Sequence, residues 1–311
     1  MSVQDPIHSG ARLRPLAVLE LLKPVTWFPP MWAFLCGLIS AGEPLSNRWG
    51  LVLAGVILAG PMVCAMSQAV NDWYDRHVDA INEPERPIPS GRIPGRWGLW
   101  IALGWTVLSL TLGALIGPTA LVATLVAVAL AWAYSAPPFR FKQNGWLGCA
   151  TCGLAYESLP WITAAAILAG QLPAAEILLV ALLYGIGAHG IMTLNDFKAI
   201  EGDRRCGIAS LPVTLGPERA AKTACAMMAL PQVAVIALLA SWGHPEAAVL
   251  VSFSLGLQVL SMRRWLADPE GLAPWYNSTG VLLYVLGMMA AAMALGGHLD
   301  GLLGNIAGGA T

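Results

Sequence analysis

The sequence predicts an all-α integral membrane protein, a bundle of about nine transmembrane helices around a central cavity, with two similar four-helix halves plus one helix. Three observations predict this fold. Apolar residues make up 57% of the 311 residues and charged residues only 11%, a balance unlike that of soluble proteins. The apolar residues are grouped in runs long enough to cross a bilayer as helices. Two of these runs end in similar polar motifs, as expected for a repeat.

Hydropathy divides the chain into its elements in order. The predicted spans are 25–41, 51–71, 98–116, 118–135, 147–169, 174–195, 221–241, 245–262 and 276–296. Because residues 1–24 carry charge without an apolar core, we expect a cytoplasmic segment there and no cleavable signal peptide. Residues 25–296 are predicted to form a single transmembrane domain, and 297–311 a short periplasmic tail.

Lysine and arginine residues are concentrated on one side of this predicted topology. Sixteen of the 17 lie in the N-terminal segment or in alternate loops, and only Arg48 lies on the other side. Cytoplasmic loops carry the excess of basic residues in membrane proteins. We therefore expect the N-terminus and both polar motifs on the cytoplasmic face and the C-terminus outside. The lipid bilayer is an expected partner, and nucleic acid is not.

The most informative motif ends the second predicted span. Asn71, Asp75 and Asp79 follow one another at intervals of four residues, so they lie within about 80° on one face of a helix. Asp72 flanks this face, about 60° from Asp75. Carboxylates cost several kcal/mol in hydrocarbon and need a partner there. The natural partner is a divalent cation that carries a polyanion.

A second acidic motif ends the sixth predicted span. Asp196 and Asp203, seven residues apart, lie within about 20° on one helical face. Both motifs follow an apolar run with Asn-Asp-aromatic and then charged residues, which indicates an internal repeat. Chance similarity between two helix ends is the alternative. Two similar halves that face each other would bring both acidic faces to one cavity.

Two acidic faces on one cavity fit two Mg²⁺ ions that hold a diphosphate from both sides, since Mg²⁺ combines one or two carboxylates with phosphate oxygens. The predicted metal ligands are Asn71, Asp75, Asp79, Asp196 and Asp203. Arginine and lysine bind and neutralise phosphate oxygens. The predicted diphosphate-binding residues are Asn71, Arg76, Arg86, Arg92, Lys142, Lys198 and Arg204. Electrostatic stabilisation of the departing anion makes these the predicted catalytic residues: Asp75, Asp79, Asp196, Asp203 and Arg86.

Further side chains are predicted to line a substrate cavity, namely Tyr134, Glu157, His189, Glu201 and Asp72. Tyr134 ends a span just before a Pro-Pro break. Glu157 lies in the middle of a span, so it is either neutral and hydrogen-bonded or lines the cavity. His189 either ligates the metal of an acceptor or hydrogen-bonds between helices.

A cation-coupled transporter is a competing interpretation, because helical repeats with buried acids also describe carriers. A carrier predicts polar groups that continue across the membrane. In this sequence the acidic and basic groups crowd one face, which favours an enzyme.

These residues resemble the UbiA-type intramembrane prenyltransferases. Asn71, Asp75 and Asp79 match the first motif of that superfamily. Asp196 and Asp203 match the second, although Ile200 stands where another carboxylate would complete it. More narrowly, four strings resemble the branch of chlorophyll and bacteriochlorophyll synthases, most of all the bacteriochlorophyll synthases of photosynthetic bacteria: 21–34, 82–93, 195–203 and 274–277.

The resemblance implies Mg²⁺-dependent esterification of the 17-propionate of bacteriochlorophyllide by geranylgeranyl or phytyl diphosphate, with release of diphosphate. It also implies a bacterial inner membrane, either cytoplasmic or intracytoplasmic and photosynthetic. Glu201 would then compensate for Ile200 in the second motif. Chlorophyllide, a quinone precursor and haem are the alternative acceptors, since aromatic prenylation can use the same diphosphate site.

Overall fold

The computed structural model describes residues 13–299, and their secondary structure is helical apart from one isolated β-bridge between Asn144 and Ala209. The α-helices, labelled in chain order, are α1 Pro15–Leu21, α2 Phe28–Ser40, α3 Trp49–Ile57, α4 Ala65–Asn82, α5 Trp97–Ile116, α6 Pro118–Ser135, α7 Gly145–Gly153, α8 Leu159–Ala169, α9 Ala175–Asp196, α10 Ile200–Cys206, α11 Leu211–Leu215, α12 Pro217–Ser241, α13 Pro245–Trp265 and α14 Ala273–Leu295. Residues 1–12 of the expected cytoplasmic segment, and all but three residues of the expected tail 297–311, lie outside the described range.

Eight helical stretches within residues 13–299 are long and apolar enough to cross a membrane, which confirms the prediction of a multi-pass helical membrane protein. The first predicted span, 25–41, corresponds to the shorter α2. With 13 residues, α2 is about 20 Å long, less than the thickness of the hydrocarbon layer.

The two stretches that carry the acidic motifs continue past the predicted ends of their spans. They are Trp49–Asn82 and Ala175–Cys206, each more than 30 residues long. Hydropathy falls at Asn71, but the helix continues with one face packed on the bundle, where the buried Asp72 and Asp79 form ion pairs with Lys23 and Arg86. A polar segment with one buried face is helical for the same reason as an apolar one, namely tertiary packing.

Two spans change their helical form close to a proline. A π-helical segment, Leu58–Cys64, joins α3 to α4 and contains Pro61. A second, Leu154–Ser158, joins α7 to α8 and ends two residues before Pro160. Proline lacks an N–H and its ring collides with the preceding turn of an α-helix, so the wider π turn lets the chain remain helical.

The largest hydrophobic core lies among α9, α12, α13 and α14, where α9 packs mainly on α12 and α13 on α14. Fully buried aromatic rings join these helices to α8. Trp161 stacks on Tyr184 with ring centroids 5.8 Å apart, and Tyr184 meets the edge of Tyr284 at 5.3 Å. By contrast, only 22% of each of the spans α5 and α6 is buried, so their apolar outer faces are available to lipid.

Glycines bring the α7–α8 unit into close contact with α9. A Cβ atom on Gly153 would overlap the carbonyl oxygen of Gly185, and one on Gly185 would overlap the hydroxyl of Ser158. Small residues at such interfaces let helix backbones approach closely in membranes. Since α9 leads into α10, and α10 packs on α4, the second motif reaches the first through α10.

Candidate active site

Both acidic motifs line one cavity of about 350 Å³. Asn71, Asp75 and Asp79 reach it from α4, while Asp196 reaches it from the end of α9 and Asp203 from the middle of α10. The helical spacing of the first motif places its members on one face of α4, as the sequence predicts. Asp196 and Asp203 do not share one helical face, because the 3₁₀ turn Phe197–Ala199 separates α9 from α10. All five predicted metal ligands therefore border the same space.

The first motif is organised by a hydrogen bond within α4. Asn71 Nδ2 donates to Asp75 Oδ2 at 2.8 Å, across one turn of the helix. The same amide nitrogen lies 3.5 Å from the hydroxyl of Ser135, at the end of α6. Asn71 thus orients the Asp75 carboxylate and links α4 to α6.

Lys142 forms an ion pair with Asp75. A short 3₁₀ turn, Phe141–Gln143, presents Lys142 to the cavity, and Arg140 before it adopts the left-handed backbone conformation at φ 43°. Both paired side chains are largely buried. Burial lowers the pKa of the Lys142 amino group, and the neighbouring Asp75 carboxylate opposes this effect.

Arg86 gathers three carboxylates from the first motif and the loop after it. Its Nη1 lies 2.9 Å from Asp79 Oδ2 and 3.3 Å from Asp72 Oδ1, and its Nη2 pairs with Glu83. The Asp79 contact is an ion pair without hydrogen-bond geometry, because Asp79 Oδ2 has no hydrogen-bond partner among residues 13–299. Lys198, more exposed, lies 3.3 Å from Glu83.

The cavity carries more negative than positive charge. The carboxylates that line it are Asp75, Asp79, Glu83, Asp196 and Asp203, and the cations are Arg86, Lys142 and Lys198. Counted with every group ionised, five negative and three positive groups leave an excess of two negative charges. In the described part of the chain, Asp196 and Asp203 form no ion pair, and the Asp196 carboxylate has only the Cys149 thiol as a hydrogen-bonding neighbour, at 3.9 Å.

This charge balance fits a divalent cation that is bound together with an anion. Among residues 13–299, no three Asp, Glu, His or Cys side chains are close enough together to hold a metal ion by themselves. Mg²⁺ does not need such a cage, since it combines one or two carboxylates with water and phosphate oxygens. The donor set is all oxygen from the two motifs, which suits Mg²⁺ rather than a softer metal.

Three arginines predicted to bind diphosphate, Arg76, Arg92 and Arg204, do not line the cavity. Arg76 lies over the ring of Trp73, 4.4 Å from its centroid, and donates to the Trp73 carbonyl at 2.7 Å. It follows Asp75 directly, so the helix turns it by about 100° away from the acidic face. Arg92 pairs instead with Glu20 of α1.

The second motif differs from the prediction around Ile200. Glu201 does not line the cavity, and its exposed side chain pairs with Arg205 at 2.7 Å and with Arg204 at 3.8 Å. Two residues along a helix are about 200° apart, so Glu201 points away from Asp203. Glu201 therefore does not supply the carboxylate that the second motif lacks at position 200. Arg204 also lies outside the cavity lining.

Of the remaining predicted cavity residues, Tyr134 lines the cavity and three do not. Asp72 is buried behind it. Glu157 is buried in the second π segment, and its Oε2 has no hydrogen-bond partner within the described residues. His189 is buried with its ring 5.3 Å from that of Trp146, and neither of its nitrogens finds a partner in the same range.

Three polar residues line the cavity that the sequence does not predict: Asn82, Glu83 and Ser210. The position of Asn82 at the cavity depends on Gly202, because a Cβ atom on Gly202 would overlap the side-chain amide of Asn82. The glycine of the second motif therefore lets α10 approach the end of α4. Asn82 and Gly202 belong to the strings 82–93 and 195–203, which resemble the family. The sequence does not show that these two strings contact each other.

Comparisons with known proteins agree with this geometry. The model of the UbiA prenyltransferase family matches residues 28–281. The chain is 58% identical over 297 residues to the bacteriochlorophyll synthase 33 kDa chain of Cereibacter sphaeroides, covering 96% of this chain and 98% of that protein. Its identity to the protein of the same description from Rhodobacter capsulatus is 57%, with 96% and 99% covered. The fold is similar to the solved structure of a UbiA homolog from Archaeoglobus fulgidus bound to DMAPP and Mg²⁺, with a TM-score of 0.70, 22% identity, and 90% and 99% covered.

Proposed function

The chain belongs to the UbiA prenyltransferase family, and we propose that it esterifies the 17-propionate of bacteriochlorophyllide with a geranylgeranyl or phytyl group taken from its diphosphate. The observation that carries the proposal is the single cavity in which acids of both motifs meet three cations. Relatives at 58% and 57% identity described as bacteriochlorophyll synthase support the choice of acceptor. Membership in a prenyltransferase family disfavours the transporter interpretation.

In the proposed reaction, a carboxylate oxygen of the acceptor forms a bond to C1 of the prenyl group, and the bond from C1 to the diphosphate oxygen breaks. The electron pair of that bond leaves with diphosphate. A carboxylate is already ionised at neutral pH, so the reaction needs no general base. Its main requirements are neutralisation of the leaving group and exclusion of water.

The residues that line the cavity have distinct proposed roles. Arg86, Lys142 and Lys198 bind phosphate oxygens, because these are the cations that border the space. Asp196 and Asp203, which have no internal counter-ion in the described residues, and the acids of α4 hold Mg²⁺. When bound, Mg²⁺ neutralises the diphosphate and makes it a better leaving group. Two ions are proposed because the acids approach from two sides.

The location of the site in the membrane is also a proposal. We place the N-terminus and the cavity on the cytoplasmic face of a bacterial inner membrane and the C-terminus in the periplasm, with 25–296 as one transmembrane domain. The distribution of basic residues, sixteen of 17 on one side, supports this orientation. Fusion of a reporter that is active only in the periplasm to residue 311 tests it, and an inactive reporter there would contradict it.

An acceptor assay tests the proposed function. Purified protein in lipid receives Mg²⁺, geranylgeranyl or phytyl diphosphate, and one acceptor at a time: bacteriochlorophyllide, chlorophyllide, a quinone precursor or haem. We expect the mass of a prenyl ester with bacteriochlorophyllide, and no ester when EDTA replaces Mg²⁺. A prenylated quinone precursor with no tetrapyrrole ester would overturn the acceptor assignment. Undiminished turnover in EDTA would overturn the role of the metal.

A further inference from the structure

Lys23 connects the N-terminal helix to the first acidic motif. Its ammonium group donates to Asp72 Oδ1 at 2.6 Å, and the Asp72 side chain is only 2% exposed. Lys23 directly follows the short helix α1 and the buried residue Leu22, which pack against α4. The nearest cation to a nearly inaccessible carboxylate therefore comes from 49 residues earlier in the chain.

The backbone at Lys23 adopts a conformation that is rare for this residue type. Its φ is 47°, in the left-handed region, which side chains other than glycine seldom occupy. The following 3₁₀ turn holds it there, since the Thr26 amide and hydroxyl both donate to the Lys23 carbonyl, at 2.9 and 2.8 Å. Conformations of this kind persist where the surroundings enforce them. In this chain, the left-handed conformation of Lys23 directs its ammonium group toward Asp72.

Asp72 is shared between Lys23 and Arg86. Arg86 Nη1 lies 3.3 Å from the same Oδ1 atom, and that nitrogen also lies 2.9 Å from Asp79 Oδ2 at the cavity. The guanidinium group is thus placed between a buried carboxylate behind it and the cavity in front. Whichever carboxylate is less well neutralised by other cations attracts it more strongly.

We propose that Lys23 is a positioning residue for Arg86. By neutralising Asp72, it leaves the Arg86 guanidinium available to the diphosphate. Without Lys23, Arg86 is the remaining cation on a buried carboxylate, and separating such a pair is strongly unfavourable. Arg86 then moves toward Asp72 and binds the phosphate oxygens less tightly. This inference rests on the proposed function, since it takes the diphosphate site as given.

A neighbouring ion pair provides a matched control. Glu20, on α1, accepts from Arg92 at 2.7 Å in an exposed position, so it joins the N-terminal helix to the same loop as Arg86. An exposed pair contributes little to stability. Glu20→Gln therefore loosens the same segment without changing the charge around Asp72.

The test is calorimetric titration of the full-length protein in detergent with inorganic pyrophosphate and Mg²⁺. We expect Lys23→Met to raise the Kd about tenfold, within the usual range of coupling between sites. Lys23→Arg keeps the wild-type Kd, and Glu20→Gln leaves it unchanged. In the double variant Lys23→Met/Asp72→Asn, the carboxylate that captures Arg86 is gone, so the affinity returns to within about threefold of wild type.

The double variant distinguishes positioning from a merely structural role. If Lys23 only stabilised the fold, removal of Asp72 as well would leave pyrophosphate binding as weak as in Lys23→Met, and that result would overturn the proposal. An unchanged Kd in Lys23→Met would overturn it too. Where Lys23→Met does not fold, Lys23→Gln carries the same expectations. A wild-type protein that does not bind pyrophosphate would overturn the proposed function as well, whereas wild-type binding with unaltered Lys23 variants refutes only this inference.

Discussion

Replacement of Lys142 by methionine tests the charge balance of the cavity most directly. Lys142 and Asp75 form an ion pair with side chains 6% and 13% exposed. Removal of one member of a buried pair costs about 3–5 kcal/mol. Asp75 keeps the hydrogen bond from Asn71 at 2.8 Å, and burial already disfavours the charged form of Lys142. We therefore expect the free energy of unfolding to fall by about 3 kcal/mol, the lower end of this range.

The same change should strengthen the binding of a divalent cation alone. In Lys142→Met, five carboxylates face two cations where five face three in the wild type. A spherical cavity of about 350 Å³ is about 9 Å across, and at that separation a unit charge repels a divalent ion by about 0.9 kcal/mol in bulk-water dielectric and about 3.7 kcal/mol at a dielectric of 20. The Kd for metal should therefore fall at least about fivefold.

Titration with Mn²⁺ in the absence of diphosphate, followed by electron paramagnetic resonance, measures this affinity. Thermal unfolding in EDTA and in Mg²⁺ measures the stability, and the loss caused by Lys142→Met should shrink in Mg²⁺. Lys222→Met is the control, since it removes the same charge from an exposed position on α12. If Lys142→Met binds Mn²⁺ no more tightly than wild type, Lys142 does not compete with the metal for the acids.

Two further predictions concern the acidic motifs and the contact between them. Asp75→Ala and Asp196→Ala should each abolish prenyl transfer while the protein stays folded, and wild-type turnover in either variant would contradict the assignment. Gly202→Ala should lower the Tm and the activity, because its Cβ meets the Asn82 side chain. Gly256→Ala, inside α13, has open space around it and replaces glycine by a better helix former, so it should leave the activity unchanged and should not lower the Tm. Equal losses of Tm and activity in the two glycine variants would refute this explanation.

The first acidic face could be predicted because helical periodicity alone determines it. Four-residue spacing places Asn71, Asp75 and Asp79 on one side of α4, whatever surrounds the helix. The resemblance to the UbiA superfamily, which the family match confirms, rests on the same residues. Tyr134 is predicted from its place before the Pro-Pro break and Lys142 as a basic residue for the diphosphate, and the structure places both at the cavity.

Other parts of the site depend on loops and distant contacts, which periodicity does not determine. Arg86 and Arg92 lie in the same proline-rich loop, yet only Arg86 reaches the cavity, because Arg92 is held by Glu20 of α1. Lys23 meets Asp72 across 49 positions of sequence. Residues so far apart in the sequence cannot be paired from their spacing. The packing of α1 on α4 brings Lys23 to Asp72.

The direction of the acidic face depends on the length of the helical stretch before it, in which Leu58–Cys64 is π-helical. A π turn holds about one residue more than an α turn, so loss of one residue within Leu58–Cys64 would let the segment become α-helical and leave the acidic face close to its present direction. The α-helical stretch from Ala65 to Asn71 has no such extra residue. Loss of one residue there would turn Asn71, Asp75 and Asp79 by about 100° relative to α3, although their own spacing would be unchanged. An alignment of related chains should therefore show single-residue gaps in the π-helical segment and constant length between Cys64 and Asn71.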